Sequence, residues 1–215
     1  MGRVPVKKIL QLLAERYPNP RPALIYSNPL ELLIATMLSA QSTDKQVNKI
    51  TAKLFMKYKT PEEYAQLGTE ELEQNIRGCG LYKNKAKHII QACRLLVEKF
   101  NSQVPGDRKL LISLPGVGRK TANVVLANAF GVPAIAVDTH VFRVANRLGL
   151  ANSNQVLGTE LDLMRQIPRS MWSDAHHWLI FLGREICRAR KPSCIACPLY
   201  DLCKHGNGNK GENQE

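Results

Sequence analysis

The stretch from Leu114 to His140, LPGVGRKTANVVLANAFGVPAIAVDTH, indicates how the rest of the chain folds. It begins with a tight turn in which two glycines flank one residue, so the backbone can bend sharply and approach a ligand closely. A helix-forming run follows over 121–130, and Gly131 is a typical helix stop. The first amide N–H groups of that helix lack intrahelical partners and lie at the positive end of its dipole, so they can bind a phosphate. The turn residues that would surround such an anion are Gly116, Val117, Gly118 and Arg119.

Two ionisable side chains in this stretch indicate chemistry as well as binding. Lys120 falls on the first turn of the predicted helix, where the dipole disfavours the ammonium form, and we expect partial burial and the neighbouring Arg119 to disfavour it further. Asp138 follows a second turn signal and is a candidate acidic partner. A neutral amine beside a carboxylate is the arrangement that a Schiff-base nucleophile needs. Asp138 is also a good N-cap for the helix that follows, and the two roles are compatible.

The balance of charges points to a polyanionic partner. The chain has 215 residues, enough for one or two domains, and its 30 Lys+Arg against 18 Asp+Glu give a formal net charge of +12. A membrane surface is the competing partner, but no apolar run approaches about 18 residues. The N-terminus also lacks a signal-peptide core. We therefore expect a cytoplasmic protein that binds a polyanion and no membrane.

Apolar residues recur at helical spacing along almost the whole chain. Asn28 and Pro29 form a start signal for a run over 30–40 that is apolar almost all round, which predicts a central buried helix. The triplet at 135–137, Ile-Ala-Val, has no second strand nearby with which to pair. The sequence therefore predicts an all-α fold. The last ten residues, 206–215, lack apolar side chains and are expected to form a disordered tail.

Four of the six cysteines are crowded near the C-terminal end. Without a secretory signal, such crowding favours a metal site over disulfides. Zinc bound by four thiolates is one candidate and an iron-sulfur cluster is another, and the chemistry of the ligands alone does not decide between them. The four residues are Cys187, Cys194, Cys197 and Cys203, with six, two and five residues between them.

The quoted stretch resembles the helix-hairpin-helix, Gly/Pro-rich loop and aspartate signature of the DNA base-excision glycosylases. Within them it is most similar to the endonuclease III family. The likeness extends through LSAQSTD at 38–44, GLYKNKA at 80–86, HHWLI at 176–180 and the cysteine array. It therefore covers nearly the whole chain.

The resemblance implies an architecture that periodicity cannot supply. A six-helix barrel domain is expected over 21–133 and would contain the hairpin. An iron-sulfur cluster domain would combine 1–20 with 134–205, and the cysteine spacing matches the family's [4Fe-4S] loop. The active cleft would then lie between the domains, with Lys120 on one wall and Asp138 on the other.

The same resemblance implies the reaction. Lys120 would attack the sugar C1′ of a damaged nucleotide, expel the base and leave an imine, and β-elimination would then cut the strand on the 3′ side. Asp138 would help to deprotonate the lysine or stabilise the charge that develops on the sugar. The expected partner is double-stranded DNA that contains oxidised pyrimidines or abasic sites, and the expected state is a monomer.

A base that leaves the stack leaves a hole that side chains must fill. Gln41 and Leu81 match the positions that the family uses for insertion, the first as a polar partner for the orphaned base and the second as an apolar wedge. Within the cysteine array, Arg188, Arg190 and Lys191 form a basic, proline-stiffened loop that is expected to contact phosphates.

Three alternatives remain at this point. An adenine-mismatch glycosylase shares the hairpin and the cysteines, but that family lacks the catalytic lysine and carries an additional C-terminal domain. A non-catalytic DNA-binding module with a structural metal would leave the pairing of Lys120 with Asp138 unexplained. A basic electron carrier would leave the Gly-Val-Gly turn unexplained.

Overall fold

The computed structural model describes residues 4–208, and its regular elements within that range are all helices. The predicted all-α class is confirmed. In chain order, and apart from three short 3-10 turns, the helices are α1 (Val6–Arg16), α2 (Pro29–Ser39), α3 (Asp44–Lys57), α4 (Pro61–Gln66), α5 (Thr69–Ile76), α6 (Tyr82–Lys99), α7 (Arg108–Ile112), α8 (Arg119–Ala129), α9 (Thr139–Leu148), α10 (Val156–Gln166), α11 (Trp172–Glu185) and α12 (Lys204–Gly208).

The chain divides into two compact units. One is Pro22–Val132, which holds α2 to α8. The other consists of the described residues up to Arg21 and from Pro133 onward, so the N-terminal helix α1 joins α9 to α12.

Helix α2 is the centre of the first unit. The Asn28 side chain accepts a hydrogen bond from the Glu31 N–H at 3.0 Å, and Pro29 opens the first turn. Every residue over 32–38 is buried, because α3, α6 and α8 pack around the helix. A surface helix has one apolar stripe, whereas this helix is apolar on all sides, as its central place requires.

The hairpin lies between α7 and α8 in the same unit. Helix α7 begins at Arg108, because Asp107 Oδ1 accepts hydrogen bonds from the N–H groups of Lys109 and Leu110 at 2.8 and 3.0 Å. Helix α8 ends as predicted. Gly131 adopts a left-handed φ of 63°, and the Val132 N–H bonds back to the Leu126 carbonyl at 3.0 Å.

The second unit has its own apolar core. Ile9, Leu10 and Leu13 of α1 are buried against it. The indole N–H of Trp178 in α11 donates to the Tyr17 carbonyl at 3.0 Å, just after α1 ends. The Tyr17 hydroxyl bonds to Glu185 at 3.1 Å, and burial together with that carboxylate raises the pKa of Tyr17 to about 12. These contacts tie the first helix of the chain to the last long one.

The structure agrees with the sequence prediction for one further segment and differs from it for another. The segment 134–137 is buried but pairs with no strand in the described part of the chain, which agrees with the sequence prediction. Residues 206–208, expected in the disordered tail, instead complete α12, where Gly206 packs against Tyr200. Residues 209–215 lie outside the described range. Among residues 4–208, no helix has both the length and the apolar character needed to cross a membrane.

The docking of α1 gives a stability prediction. Leu13 is fully buried, so Leu13→Ala is expected to lower the free energy of unfolding by about 2–5 kcal/mol. Leu12, which is only partly buried, provides the matched control, and Leu12→Ala is expected to cost less than about 1.5 kcal/mol. Thermal or urea unfolding measures both values. Equal losses for the two variants would show that α1 is not docked through Leu13.

Candidate functional site

The two glycines of the hairpin turn serve different purposes. Gly116 has a φ of 76°, and a Cβ built there would lie 2.7 Å from the Cβ of His88 on α6, so only glycine fits. Gly118 faces open space, with no atom within 4 Å of a built Cβ. The Val117 N–H closes the turn on the Leu114 carbonyl at 3.1 Å. The first glycine therefore packs the turn, and the second leaves room for an incoming group.

Helix α8 begins directly after this turn. Gly118 is its N-cap and supplies no side-chain cap hydrogen bond. The first N–H groups of a helix lack intrahelical partners, and an open N-terminus of this kind is the arrangement that binds anions. Arg119 is half-buried, whereas Lys120 is exposed. The partial burial expected of Lys120 is not found, and its amine is directly accessible.

Asp138 is the N-cap of α9. Its Oδ1 accepts a hydrogen bond from the Val141 N–H at 2.8 Å. Its Oδ2 accepts none from residues 4–208, and the side chain is only half-buried. One oxygen thus holds the helix while the other can act on a ligand. Lys120 belongs to the Pro22–Val132 unit and Asp138 to the other unit.

The structure brings Gln41 and Leu81 to adjacent turns of the first unit. Both are exposed, and both have left-handed backbone angles, with φ of 55° and 57°. Such angles are uncommon for residues other than glycine. Gly80 allows the close approach, because a Cβ there would lie 2.8 Å from the Gln41 carbonyl oxygen. The resemblance identified both side chains, but only the structure shows that their turns touch.

Sequence reasoning missed Lys85. Its side chain is only 6% exposed, and its Nζ donates to the carbonyl oxygens of Leu38 and Ala40, at 2.8 and 2.5 Å, and to Ser42 Oγ at 3.2 Å. Burial lowers the pKa of Lys85. The segment GLYKNKA contains two lysines, Lys83 and Lys85. Lys85 lies on the same side of α6 as the buried Ala86 and Ile89, and only this helical spacing could have indicated that it turns inward.

The four clustered cysteines line one cavity in the second unit. The rest of its wall is largely apolar and includes Leu148, Leu182 and Ile186. Burial raises the pKa of the Cys197 and Cys203 thiols, so bare thiolates are unfavourable there and a bound cationic centre would stabilise them. Within 4–208, no three Cys, His, Asp or Glu side chains are grouped closely enough to hold a single metal ion. A soft, all-thiolate donor set in an apolar wall suits an iron-sulfur cluster.

An arginine that the sequence did not single out joins this cavity to the basic loop. Arg147 of α9 donates to Cys187 Sγ at 3.4 Å and to the carbonyls of Arg188 and Ala189 at 2.7 and 3.1 Å. The Ser193 N–H closes the loop on the Ile186 carbonyl at 3.0 Å. The predicted phosphate-contacting side chains of the loop are all exposed, namely Arg188, Arg190 and Lys191.

Comparison with known proteins agrees with this geometry. Residues 34–169 match the HhH-GPD superfamily base excision DNA repair proteins, and residues 187–203 match the iron-sulfur binding domain of endonuclease III. The endonuclease III of Bacillus subtilis (strain 168) is 51% identical over 198 residues, which cover 92% of this chain and 90% of that protein. The endonuclease III of Escherichia coli (strain K12) is 50% identical over 205 residues, which cover 95% of this chain and 97% of that protein.

A solved structure is equally similar. It is a trapped covalent intermediate of an endonuclease III with DNA, in an estranged-adenine complex. It superposes with a TM-score of 0.90 at 50% identity and covers 98% of this chain and 100% of that one. Together these matches confirm the resemblance and decide the metal question, which the ligand chemistry left open, in favour of a [4Fe-4S] cluster.

The cluster assignment gives a prediction with a control inside the same chain. Cys197→Ala removes a ligand, so iron content is expected to fall from about four atoms per chain and the broad visible absorption to disappear. Because metal binding and folding are coupled, the protein is also expected to be less soluble. Cys93 is a buried cysteine outside the array, and Cys93→Ala should retain the visible absorption and the iron content of the unsubstituted protein. Colourless, active wild-type protein that holds one zinc would contradict the assignment.

Proposed function

The chain belongs to the HhH-GPD superfamily of base excision DNA repair proteins, and we propose that Lys120 is its covalent nucleophile and Asp138 its catalytic carboxylate. The protein is a DNA glycosylase and apurinic/apyrimidinic lyase with a [4Fe-4S] cluster. The adenine-mismatch, binding-module and electron-carrier alternatives are thereby set aside. The observation that carries the proposal is an exposed amine on the first turn of a helix whose N-terminus can hold a phosphate.

The proposed reaction begins at the Lys120 amine. Its nitrogen attacks the sugar C1′, the new C–N bond forms, and the damaged base leaves with the electron pair of the glycosidic bond. The C1′–O4′ bond then breaks, O4′ takes up a proton as the sugar ring opens, and the nitrogen lone pair forms the C=N bond of an imine. This imine makes the C2′ hydrogens acidic. Loss of one such proton then breaks the C3′–O bond, and water releases the lysine. Covalent catalysis of this kind divides one difficult step into several easier ones.

Asp138 supports the same step. Its second oxygen, Oδ2, can accept the proton that the Lys120 ammonium must lose before the amine attacks, or stabilise the positive charge that develops on the sugar ring. The carboxylate stays oriented because Oδ1 holds the N–H of Val141. The cap therefore limits the number of orientations that the side chain can adopt.

DNA binding would use three surfaces. The hairpin turn and the α8 N-terminus take a backbone phosphate through N–H groups. The exposed basic side chains of the loop held by Arg147 take further phosphates, in keeping with the net charge of +12. Gln41 and Leu81 enter the gap that the extruded nucleotide leaves.

The substrate and setting follow from the same proposal. We expect oxidised pyrimidines to be the preferred bases, because that is what the endonuclease III resemblance implies. The protein would act on chromosomal DNA in the cytoplasm and as a monomer.

The first test of the proposal is trapping by reduction. Lys120→Gln removes the amine, so borohydride is expected to trap no covalent complex with abasic DNA, while noncovalent binding falls less than about tenfold. Lys53→Gln changes an exposed lysine of α3 and serves as the control with normal trapping. Denaturing gels report the covalent product. Undiminished trapping in Lys120→Gln would exclude Lys120 as the nucleophile.

The second test separates the two roles of Asp138. Asparagine can still cap α9, so Asp138→Asn is expected to change the melting temperature little. Base excision should fall by about 100-fold or more, because the amide can neither accept a proton nor offset positive charge. Single-turnover rates and thermal midpoints of the same preparation decide the matter. A large loss of stability with a normal excision rate would leave Asp138 only its capping role.

A further inference from the structure

The two exposed turns of the first unit share an unusual backbone geometry. Gln41 follows the end of α2, Leu81 precedes the start of α6, and both lie in the left-handed region. Non-glycine residues remain in such conformations only where the surrounding structure enforces them. The Gln41 turn is closed locally by the hydrogen bond from the Ser42 N–H to the Ser39 carbonyl at 3.1 Å, and Leu81 is the N-cap of α6. Side-chain contacts between the two turns add to these local bonds.

The Lys85 ammonium joins the two turns. Its Nζ donates to the carbonyl of Ala40, the residue directly before Gln41. The Lys85 main-chain N–H donates to the Leu81 carbonyl at 3.1 Å, but that is the first i to i−4 bond of α6 and does not depend on the lysine side chain. The third group in this arrangement is Ser42, whose hydroxyl accepts from Lys85 Nζ at 3.2 Å and from the Gly80 N–H at 3.0 Å. The buried Lys85 ammonium and the Ser42 hydroxyl thus link the residues beside Gln41 to the residue beside Leu81. The two exposed turns that carry Gln41 and Leu81 are called the tips.

The location explains why a charged donor is needed. Helix α2 is buried on all sides and ends in carbonyls that have no partner further along the helix. The helix dipole makes that end negative, and charge-assisted hydrogen bonds are stronger than neutral ones. Without the ammonium, the buried carbonyl of Leu38 would lose its donor, and the partly buried carbonyl of Ala40 would lose the same contact.

We propose that Lys85 is a positioning residue that holds Gln41 and Leu81 in the conformation in which they enter damaged DNA. The inference rests on the insertion role proposed for those two side chains. Lys85 is too deeply buried to reach the duplex, so it acts only through the tips. Because the tips are already arranged, the protein does not have to order them when DNA binds. Gln41 and Leu81 then enter the DNA together as one pre-ordered unit.

The test compares two lysines on the same helix. Lys85→Met removes the buried ammonium, whereas Lys87→Met removes an exposed one and causes the same loss of charge. Binding is measured to a duplex with one tetrahydrofuran abasic analogue and to the undamaged duplex of the same sequence. Lys85→Met is expected to reduce the ratio of the two affinities by about tenfold, the effect of losing two pre-ordered side chains. Lys87→Met should leave that ratio unchanged.

A double-mutant comparison distinguishes positioning from general stability. In a protein that carries both Gln41→Ala and Leu81→Ala, Lys85→Met is expected to change the affinity ratio less than about twofold, because residues that act as a unit are not additive. A full tenfold further loss in that background would overturn the inference. So would a Lys85→Met protein with a lowered melting temperature and an unchanged ratio.

The outcomes also separate this inference from the insertion proposal. If Gln41→Ala with Leu81→Ala leaves the affinity ratio unchanged, insertion itself is refuted. If the pair lowers the ratio and Lys85→Met does not, only the positioning role fails. Should Lys85→Met not fold, Ser42→Ala keeps the ammonium but removes the hydroxyl shared by Lys85 and Gly80. Ser42→Ala should lower the affinity ratio when Gln41 and Leu81 are present, and should not lower it when both are replaced by alanine. An equal effect in both backgrounds would overturn the inference.

Discussion

The burial of α2 on every side is the constraint from which much of the first unit follows. Because residues 32–38 are all buried, the Leu38 carbonyl near the end of the helix cannot turn to water, so the fold must bring a donor to it. Lys85 is that donor, and it arrives from α6, which fixes how α6 begins relative to the end of α2. The two turns at that junction carry the exposed side chains of Gln41 and Leu81. Packing in the core thus determines what the surface presents to DNA.

Basic residues in this chain do two kinds of work. Lys85 and Arg147 direct their charge inward, the first to carbonyls at the end of α2 and the second to a cluster ligand and its loop. Arg188, Arg190 and Lys191 direct theirs outward. Only exposed basic side chains such as these can displace counterions from DNA and make binding depend on salt. The net charge of +12 therefore overstates the charge available to the substrate.

Helix order, the capped start of α2, the stop at Gly131 and the cysteine cavity were all predictable, because caps, periodicity and ligand type are local properties of sequence. The resemblance added the cluster type and the candidate site residues. Lys85 and Arg147 were not predictable, since each acts on carbonyls 40 or more positions away. The exposure of Lys120 was also missed, because burial depends on tertiary contacts that a helix position does not specify. The last turn at 206–208 forms through Gly206 and Tyr200, a contact that composition could not reveal.

Under the insertion role proposed for Gln41 and Leu81, the close approach of Gly80 to the Gln41 carbonyl has a consequence for how lesions are found. Tips that cannot flatten against an intact duplex leave any adjustment to the nucleic acid. The free-energy cost of recognition then depends mainly on how stiff the DNA is. Base steps that unstack with little resistance, such as pyrimidine–purine steps, would yield to the tips sooner than A-tracts. Two identical lesions in different surroundings would therefore be repaired at different speeds, although the protein makes the same contacts with both.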